Sequence, residues 1–465
     1  MFAKRVAQVG LLLSSMTAYG QTTPAPIINE ASLQLLHDQV CECLTAKSRQ
    51  HVASDEAIRT CFEEEFEENG AKLIADNNLV ASVEIGQQIG LLLSKKLLET
   101  CPAFRAIRAD LPDQQVVNQA EALREAGKYG EALVAFNRLM NNKLLLIDWT
   151  VYNERGLCRL ELGDVYGALA DFEYAVQRDS TAAMARNNRG MAKNQLGDKQ
   201  GAFDDFSEAI RLDSAQALFF ENRGVLLYND EQYDRARADL LKAVALNPTS
   251  AGSYYYLGQC GKAEADYSAT TAGYFTKAIE LAPTNHEYRN ARGLFYDSKK
   301  DRALARADYL TAIRLSPDYN PAYYNLAQIE LADNKPADAL KHLNAAIRLD
   351  STYDIYFDRK AEALLRLKRY KEALLTNEQA LALAPKKADL YDTRASIEEA
   401  AGNTQQAIDA YTKSLELYDR DGAIYYRRGL AKLKLRDKQG ACDDFQWGTL
   451  FKNADAANAL KTNCR

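Results

Sequence analysis

A small residue returns along this chain at an almost constant interval. The series runs Ala120, Gly156, Gly190, Gly224, Gly258, Gly293, Ala327, Ala361, Ala395 and Gly429, with spacings of 36, 34, 34, 34, 35, 34, 34, 34 and 34. Twelve residues beyond each marker stands Ala132, Ala168, Ala202, Ala236, Ala305, Ala339, Ala373, Ala407 or Ala441, and only Thr271, after a one-residue insertion, departs. Seven further on come Ala175, Ala209, Ala243, Ala278, Ala312, Ala346 and Ala380, with Leu139, Ser414 and Gly448 as variants. Small residues at three helically spaced places let two antiparallel helices, and the next pair, approach closely. A fixed period near 34 with such spacing inside it specifies a helix-turn-helix solenoid.

Two further positions carry the pattern. An aromatic stands four residues before the marker as Tyr152, Phe220, Tyr254, Tyr323, Phe357, Tyr391 and Tyr425, and a proline follows 24 after it as Pro248, Pro283, Pro317 and Pro385. On these residues the chain resembles the tetratricopeptide-repeat (TPR) family over ten copies, residues 113–450, about three quarters of its length. The resemblance implies an all-α, right-handed TPR solenoid. It also implies that positions three and two before each marker point into a groove that holds a peptide or partner helix.

Those positions supply the candidate partner-binding residues Asn153, Asn187, Asn188, Asn222, Tyr255, Asn290, Tyr324, Asn325, Arg359, Tyr426 and Arg427. Asn amides bond both the N–H and the C=O of a peptide, and Tyr offers rigid area with a polar tip. Asn188, Asn222 and Asn325 resemble part of the asparagine ladder of the O-GlcNAc transferase superhelix, interrupted here by Tyr256 and Ala291. Asn325 and Arg359 resemble part of the carboxylate clamp of chaperone-binding TPR domains, but Asn290, Leu294 and Ile355 stand where the clamp needs other residues.

Charge co-variation yields one structural expectation. Arg155, Arg189, Arg223, Arg292 and Arg428 directly precede markers, and sixteen residues beyond each stands Asp171, Asp205, Asp239, Asp308 or Asp444. Where the Arg becomes Leu257, Leu326 or Lys360, the matching residue is Tyr274, His342 or Thr376; Arg394 with Ala410 is the exception. Charge and counter-charge come and go together, as an ion pair between the two helices of a repeat requires.

Outside the repeats, MFAKRVAQVGLLLSSMTAYG reads as a signal peptide over residues 1–20, with Lys4 and Arg5 before a short apolar run and a small-x-small end at Ala18-Tyr19-Gly20. Residues 21–28 form a Pro-containing spacer, 29–108 a separate helical unit with helices near 30–47, 54–68 and 79–101, and 451–465 a terminal cap helix. Export, to the periplasm, the cell surface or the medium of a Gram-negative cell, is the expected destination.

In an oxidising compartment cysteines pair. Cys41 and Cys43 lie about 200° apart on a helix and take different partners, Cys61 and Cys101 in one order or the other; Cys464 returns to Cys442. Cys158 and Cys260, each two residues after a marker, are expected as buried free thiols. The alternative for the N-terminal unit is a zinc or thiol-redox site built on His37, Cys41, Cys43, His51 and Cys61. The acidic run from Glu63 to Glu68 lacks the loop pattern of a calcium site. In the repeat at Gly258, the run Gly258-Gln259-Cys260-Gly261 places two glycines in one helix, each costing about 1 kcal/mol relative to Ala, so a local bend is expected.

The formal charge is −6, two units more negative without Lys4 and Arg5. Such a chain gains no counterion-release drive toward nucleic acid. No HExxH, GxSxG, GxxxxGK[ST] or strand-borne GxGxxG occurs, and the four histidines, His37, His51, His286 and His342, form no pair within a repeat. The expected function is a non-enzymatic scaffold that binds another polypeptide and needs no metal or cofactor, with a self-assembling envelope component as a further alternative.

Overall fold

The computed structural model describes residues 30–49, 60–61, 64–65, 93, 96–97, 100–102, 112–141 and 149–464. The expected signal peptide and spacer lie outside these, as do His51, most of the expected helices at 54–68 and 79–101, and the extra residues after Asn141. Every regular element among the described residues is an α-helix.

The chain divides into two compact units, residues 1–226 and 227–465. The first holds helix Glu30–Arg49, the hairpins Pro112–Glu125 with Tyr129–Asn141, Trp149–Glu161 with Val165–Arg178 and Ala183–Gln195 with Lys199–Leu212, and most of helix Ala217–Asn229. The second continues from Tyr233–Leu246 into six hairpins: Ala251–Ala263 with Ala269–Leu281, His286–Ser298 with Arg302–Leu315, Asn320–Ala332 with Pro336–Leu349, Asp354–Arg366 with Tyr370–Leu383, Ala388–Ala400 with Thr404–Leu417, and Gly422–Lys434 with Lys438–Leu450. Helix Ala454–Asn463 follows as the expected cap. Repeats are numbered 1 to 10 below by marker.

One turn recurs in every hairpin. The residue seven beyond the marker is left-handed, as Gly127, Gly163, Gly197 and Gly402 but also as Glu231, Ala265, Lys300, Asn334, Lys368 and Arg436, with φ from 56° to 86°. Glycine reaches this conformation without a Cβ penalty, while other residues are held there against about 1–2 kcal/mol by the helices on either side. In four repeats the next residue caps the second helix: Asp164, Asp198, Asp301 and Asp437 accept from Gly167, Gly201, Leu304 and Gly440 backbone N–H at 2.9 to 3.3 Å.

In five repeats the marker works by the side chain it lacks. A Cβ on Gly156 would lie 2.6 Å from the Phe172 ring, one on Gly190 2.8 Å from Phe206, one on Gly258 2.8 Å from Phe275, one on Gly293 2.5 Å from Tyr309 and one on Gly429 2.5 Å from Phe445. The second helix thus lays a ring directly on the backbone of the first. In repeats 7 and 8 the marker is Ala and the residue sixteen beyond is Leu343 or Asn377, whereas in repeats 1 and 9 Ala120 and Ala395 share a core with Phe136 and Tyr411.

Four of the five expected ion pairs are seen. Arg155 grips Asp171 at 2.9 and 2.5 Å, Arg189 grips Asp205 at 2.8 and 2.5 Å, Arg292 grips Asp308 at 2.8 Å through two nitrogens, and Arg428 grips Asp444 at 3.0 and 2.6 Å. Their remaining nitrogen reaches the preceding repeat, from Arg155 to Asn137, Arg292 to Thr276 and Arg428 to Thr412 at 3.0 to 3.1 Å. One guanidinium therefore ties three helices. Repeat 7, where Leu326 replaces the Arg, places the acid on the first helix instead: buried Glu330 meets His342 at 2.7 Å and Arg306 at 3.2 Å.

In repeat 5 helix Ala251–Ala263 runs unbroken through both glycines. The second glycine there makes room for Thr271, whose side chain would lie 2.5 Å from a Cβ on Gly261.

The cysteines pair as Cys41–Cys101, Cys43–Cys61 and Cys442–Cys464, and Cys158 and Cys260 are buried thiols. Burial pushes both thiols up to about 11. The zinc alternative loses its thiolates to these bridges. His37 is likewise engaged, by Asp38 at 2.9 Å and Thr100 at 2.7 Å.

Candidate functional site

Successive repeats are not equidistant on their two sides. First helices of adjacent repeats touch each other within both units, more so than second helices do. The first helices therefore line the inner side, and the residues three and two before each marker meet across it with an offset of 35.

In the first unit these residues form a chain of amides. Asn222 donates to Asn187 at 2.8 Å, Asn187 to Asn188 at 3.1 Å, Asn188 to Asn153 at 2.8 Å, and Asn153 to Glu154 at 3.2 Å, whose other oxygen pairs with Arg124 at 2.5 Å. Asn153, Asn187 and Asn188 are 0 to 3% exposed, so their amides are spent on one another. Buried polar groups demand such partners. These three belong to the packing between repeats and offer nothing to a ligand; Asn222, half-buried, closes the row.

The second unit repeats the device with different chemistry. Asn325 donates to buried Asn290 at 2.9 Å, Thr393 to Asp358 at 2.7 Å, and Arg427 to Asp392 at 3.0 Å. Asn290 is thus also an inter-repeat rung. Burial raises the Asp358 carboxyl above its ordinary range, opposed by the Thr393 hydroxyl and Arg359, and burial raises that of Asp392 against Arg427. Arg359 holds Glu362 at 2.6 Å, which also takes Arg366 at 2.5 Å, and Lys434 takes Glu399 at 2.5 Å. The inner row of repeats 8 to 10 is charged and internally compensated.

Repeats 5 to 7 differ. Tyr255 stacks on Tyr288 with centroids 4.9 Å apart and packs edge-on to Tyr256 at 5.1 Å, while Tyr324 lies 5.1 Å from Tyr356, itself 5.1 Å from Tyr353. Gln259 donates to the Tyr255 hydroxyl at 3.0 Å, and Gln328 donates to that of Tyr324 at 3.1 Å. Burial raises both phenols above their ordinary value. Tyr426, farther along, rests against Phe445 at 6.2 Å, and Arg427 lies 5.6 Å over the Tyr411 ring. The half-buried rings of Tyr255, Tyr324 and Tyr426 and the guanidinium of Arg359 keep part of their surface open.

Sequence reasoning missed Gln259 and Gln328, one residue past the marker and so one helical turn beyond each Tyr. The Tyr-x-x-x-Gln spacing shared by repeats 5 and 7 was the available signal.

Known proteins agree with this architecture. The tetratricopeptide repeat family matches residues 153–217, 288–354 and 324–388. The human Cell division cycle protein 16 homolog is 26% identical over 194 residues, 40% of this chain and 31% of its own length, and the mouse homolog matches to the same extent. The chain thus spans under a third of these relatives. Among solved structures, a tetratricopeptide repeat protein from Parabacteroides merdae is 16% identical with a TM-score of 0.43, covering 54% of this chain and 98% of its own. Yeast Tom70 is 16% identical with a TM-score of 0.38, covering 77% and 96%. With its period, its paired helices and the family's match to residues 153–217, 288–354 and 324–388, the chain carries tetratricopeptide repeats.

Proposed function

We propose that this protein is a non-enzymatic scaffold that holds an extended polypeptide along the inner face of its repeats, in the cell envelope after export. The observation that supports the inner face is the contrast along the second unit: three rungs of the row are used up between repeats, whereas Tyr255, Tyr324 and Tyr426 present rigid aromatic area beside hydrogen-bonding tips. Such residues anchor polypeptide partners at little entropic cost. Arrays of this family serve as protein-binding scaffolds, and no step of chemistry is assigned to any group here. Among the described residues no helix is long and apolar enough to cross a membrane. Export is favoured by the three bridges, which persist in oxidising compartments, and by the leader read in residues 1–20.

Photocrosslinking tests the face. A photoreactive residue replacing Tyr324 is expected to capture a polypeptide, and one replacing exposed Leu310 on the second helix of repeat 6 is not. Capture from Leu310 alone places the partner on the outer side and overturns the reading. Fractionation with thiol alkylation tests the location: cytoplasmic protein with six alkylatable cysteines beyond Cys158 and Cys260 refutes export.

A further inference from the structure

The inner row of repeats 5 to 7 carries donors that its own residues leave open. Because Gln259 and Gln328 each place an amide N–H on a phenol oxygen, the hydrogens of the Tyr255 and Tyr324 hydroxyls remain to be donated. Lys262, at i+7 from Tyr255 and so on the same helix face, is half-buried with no carboxylate offsetting its burial. Beside these three donors stands one shielded acceptor, the Gln259 Oε1.

The stretch is otherwise uncharged along the row, with Tyr255, Tyr256, Gln259, Asn290, Tyr324 and Gln328, while the charges of repeats 8 to 10 are internally matched. Desolvating a charged ligand against such a surface is unfavourable. A complementary chain is neutral, rich in acceptors, poor in N–H donors, and flat enough to lie on rings. Proline residues lack the N–H, and a polyproline II strand leaves its carbonyls free of internal hydrogen bonds. Aromatic-lined grooves recognise such strands because the ordering entropy is already spent.

We propose that the segment bound by repeats 5 to 7 is proline-rich and in the polyproline II conformation, its pyrrolidine rings against Tyr255 and Tyr324 and its carbonyls accepting from their hydroxyls. This deepens the inner-face reading and rests on it.

The test uses the full-length protein and three labelled peptides of equal length, oligoproline, Gly/Ser and Asp-containing Gly/Ser, followed by anisotropy. Oligoproline is expected to bind about tenfold or more tightly than either control. Tyr255→Phe, which keeps the ring and removes only the hydroxyl, is expected to weaken it several-fold, and Tyr324→Ala about tenfold or more, with unchanged helical content by circular dichroism. Equal binding of the Gly/Ser peptide, preference for the acidic one, no oligoproline binding, or binding indifferent to both substitutions overturns the proposal. Crosslinking from position 324 to a partner lacking proline refutes it while leaving the inner-face reading intact; capture only from position 310 refutes both.

Discussion

At the residue scale this fold turns on atoms that are missing or doubly used. Gly156 is small because the Phe172 ring occupies the place of its Cβ. Gly156→Val is expected to destabilise by about 1–3 kcal/mol, the ordinary range for overpacking, as a lower denaturation midpoint with unchanged slope; adding Phe172→Leu recovers part of the loss, because it removes the ring that a Cβ on Gly156 would strike. The left-handed turns run the other way. Lys368, at φ 59°, occupies the place that Gly163 and Gly402 fill elsewhere, so Lys368→Gly is expected to stabilise by about 0.5–1 kcal/mol. Asp171 accepts from Arg155 and, at 3.0 Å, from Arg159, with only 4% of its side chain exposed. Asp171→Ala abandons two partly buried guanidinium groups and is expected to cost about 3 kcal/mol, far above what a surface pair contributes.

At the scale of elements, the helix pairs and their ion pairs were legible because they repeat, and repetition exposes co-variation inside a single sequence. The Arg–Asp couple was visible as presence and absence together, and Arg394 lacked its Asp; it lies 3.6 Å from Glu378 of the preceding repeat instead. The inner row was harder to read. Its rungs join residues 35 apart, one more than the period, and only the register of adjacent first helices reveals that Asn153 meets Asn188 rather than a ligand. The order of the N-terminal bridges was open for a related reason: helical angle separates Cys41 from Cys43 but does not say which side faces Cys101.

The rungs differ in their response to pH. The Asp358 carboxyl is raised, so the protonated form is favoured in the fold; its contribution is present below the ordinary value of 3.8 and is lost as pH rises through the folded value. Asp358→Asn keeps an acceptor for the Thr393 hydroxyl. Its melting temperature is therefore expected to gain on the parent when pH moves from below 3.8 to neutrality, and equal shifts at both would contradict the assignment. Cutting the neutral ladder has no such pH dependence: Asn187→Ala leaves the amides of Asn222 and Asn188 short of a partner, at about 1–3 kcal/mol.

At the scale of the whole molecule, a repeat array is stabilised between neighbours and frays where neighbours end. Helix Ala454–Asn463 packs on the hairpin Gly422–Lys434 with Lys438–Leu450 of the second unit. Its contact is at backbone distance: a Cβ on Gly448 would lie 2.6 Å from that of Ala456, and Asn453 caps the helix through the Ala456 N–H at 2.7 Å. Ten residues bury little, and a helix this short is marginal alone. The Cys442–Cys464 bridge, spanning 22 residues, supplies the missing constraint, about 2–4 kcal/mol in the chain-entropy account. Cys464→Ser is therefore expected to abolish amide protection across Ala454–Asn463 first, then to lower it in Gly422–Lys434 and Lys438–Leu450, while leaving the helices of repeats 5 to 7 unchanged. Hydrogen exchange on the full-length variant measures this, and loss of protection spread evenly over the second unit would mean that its stability is global and not passed from neighbour to neighbour.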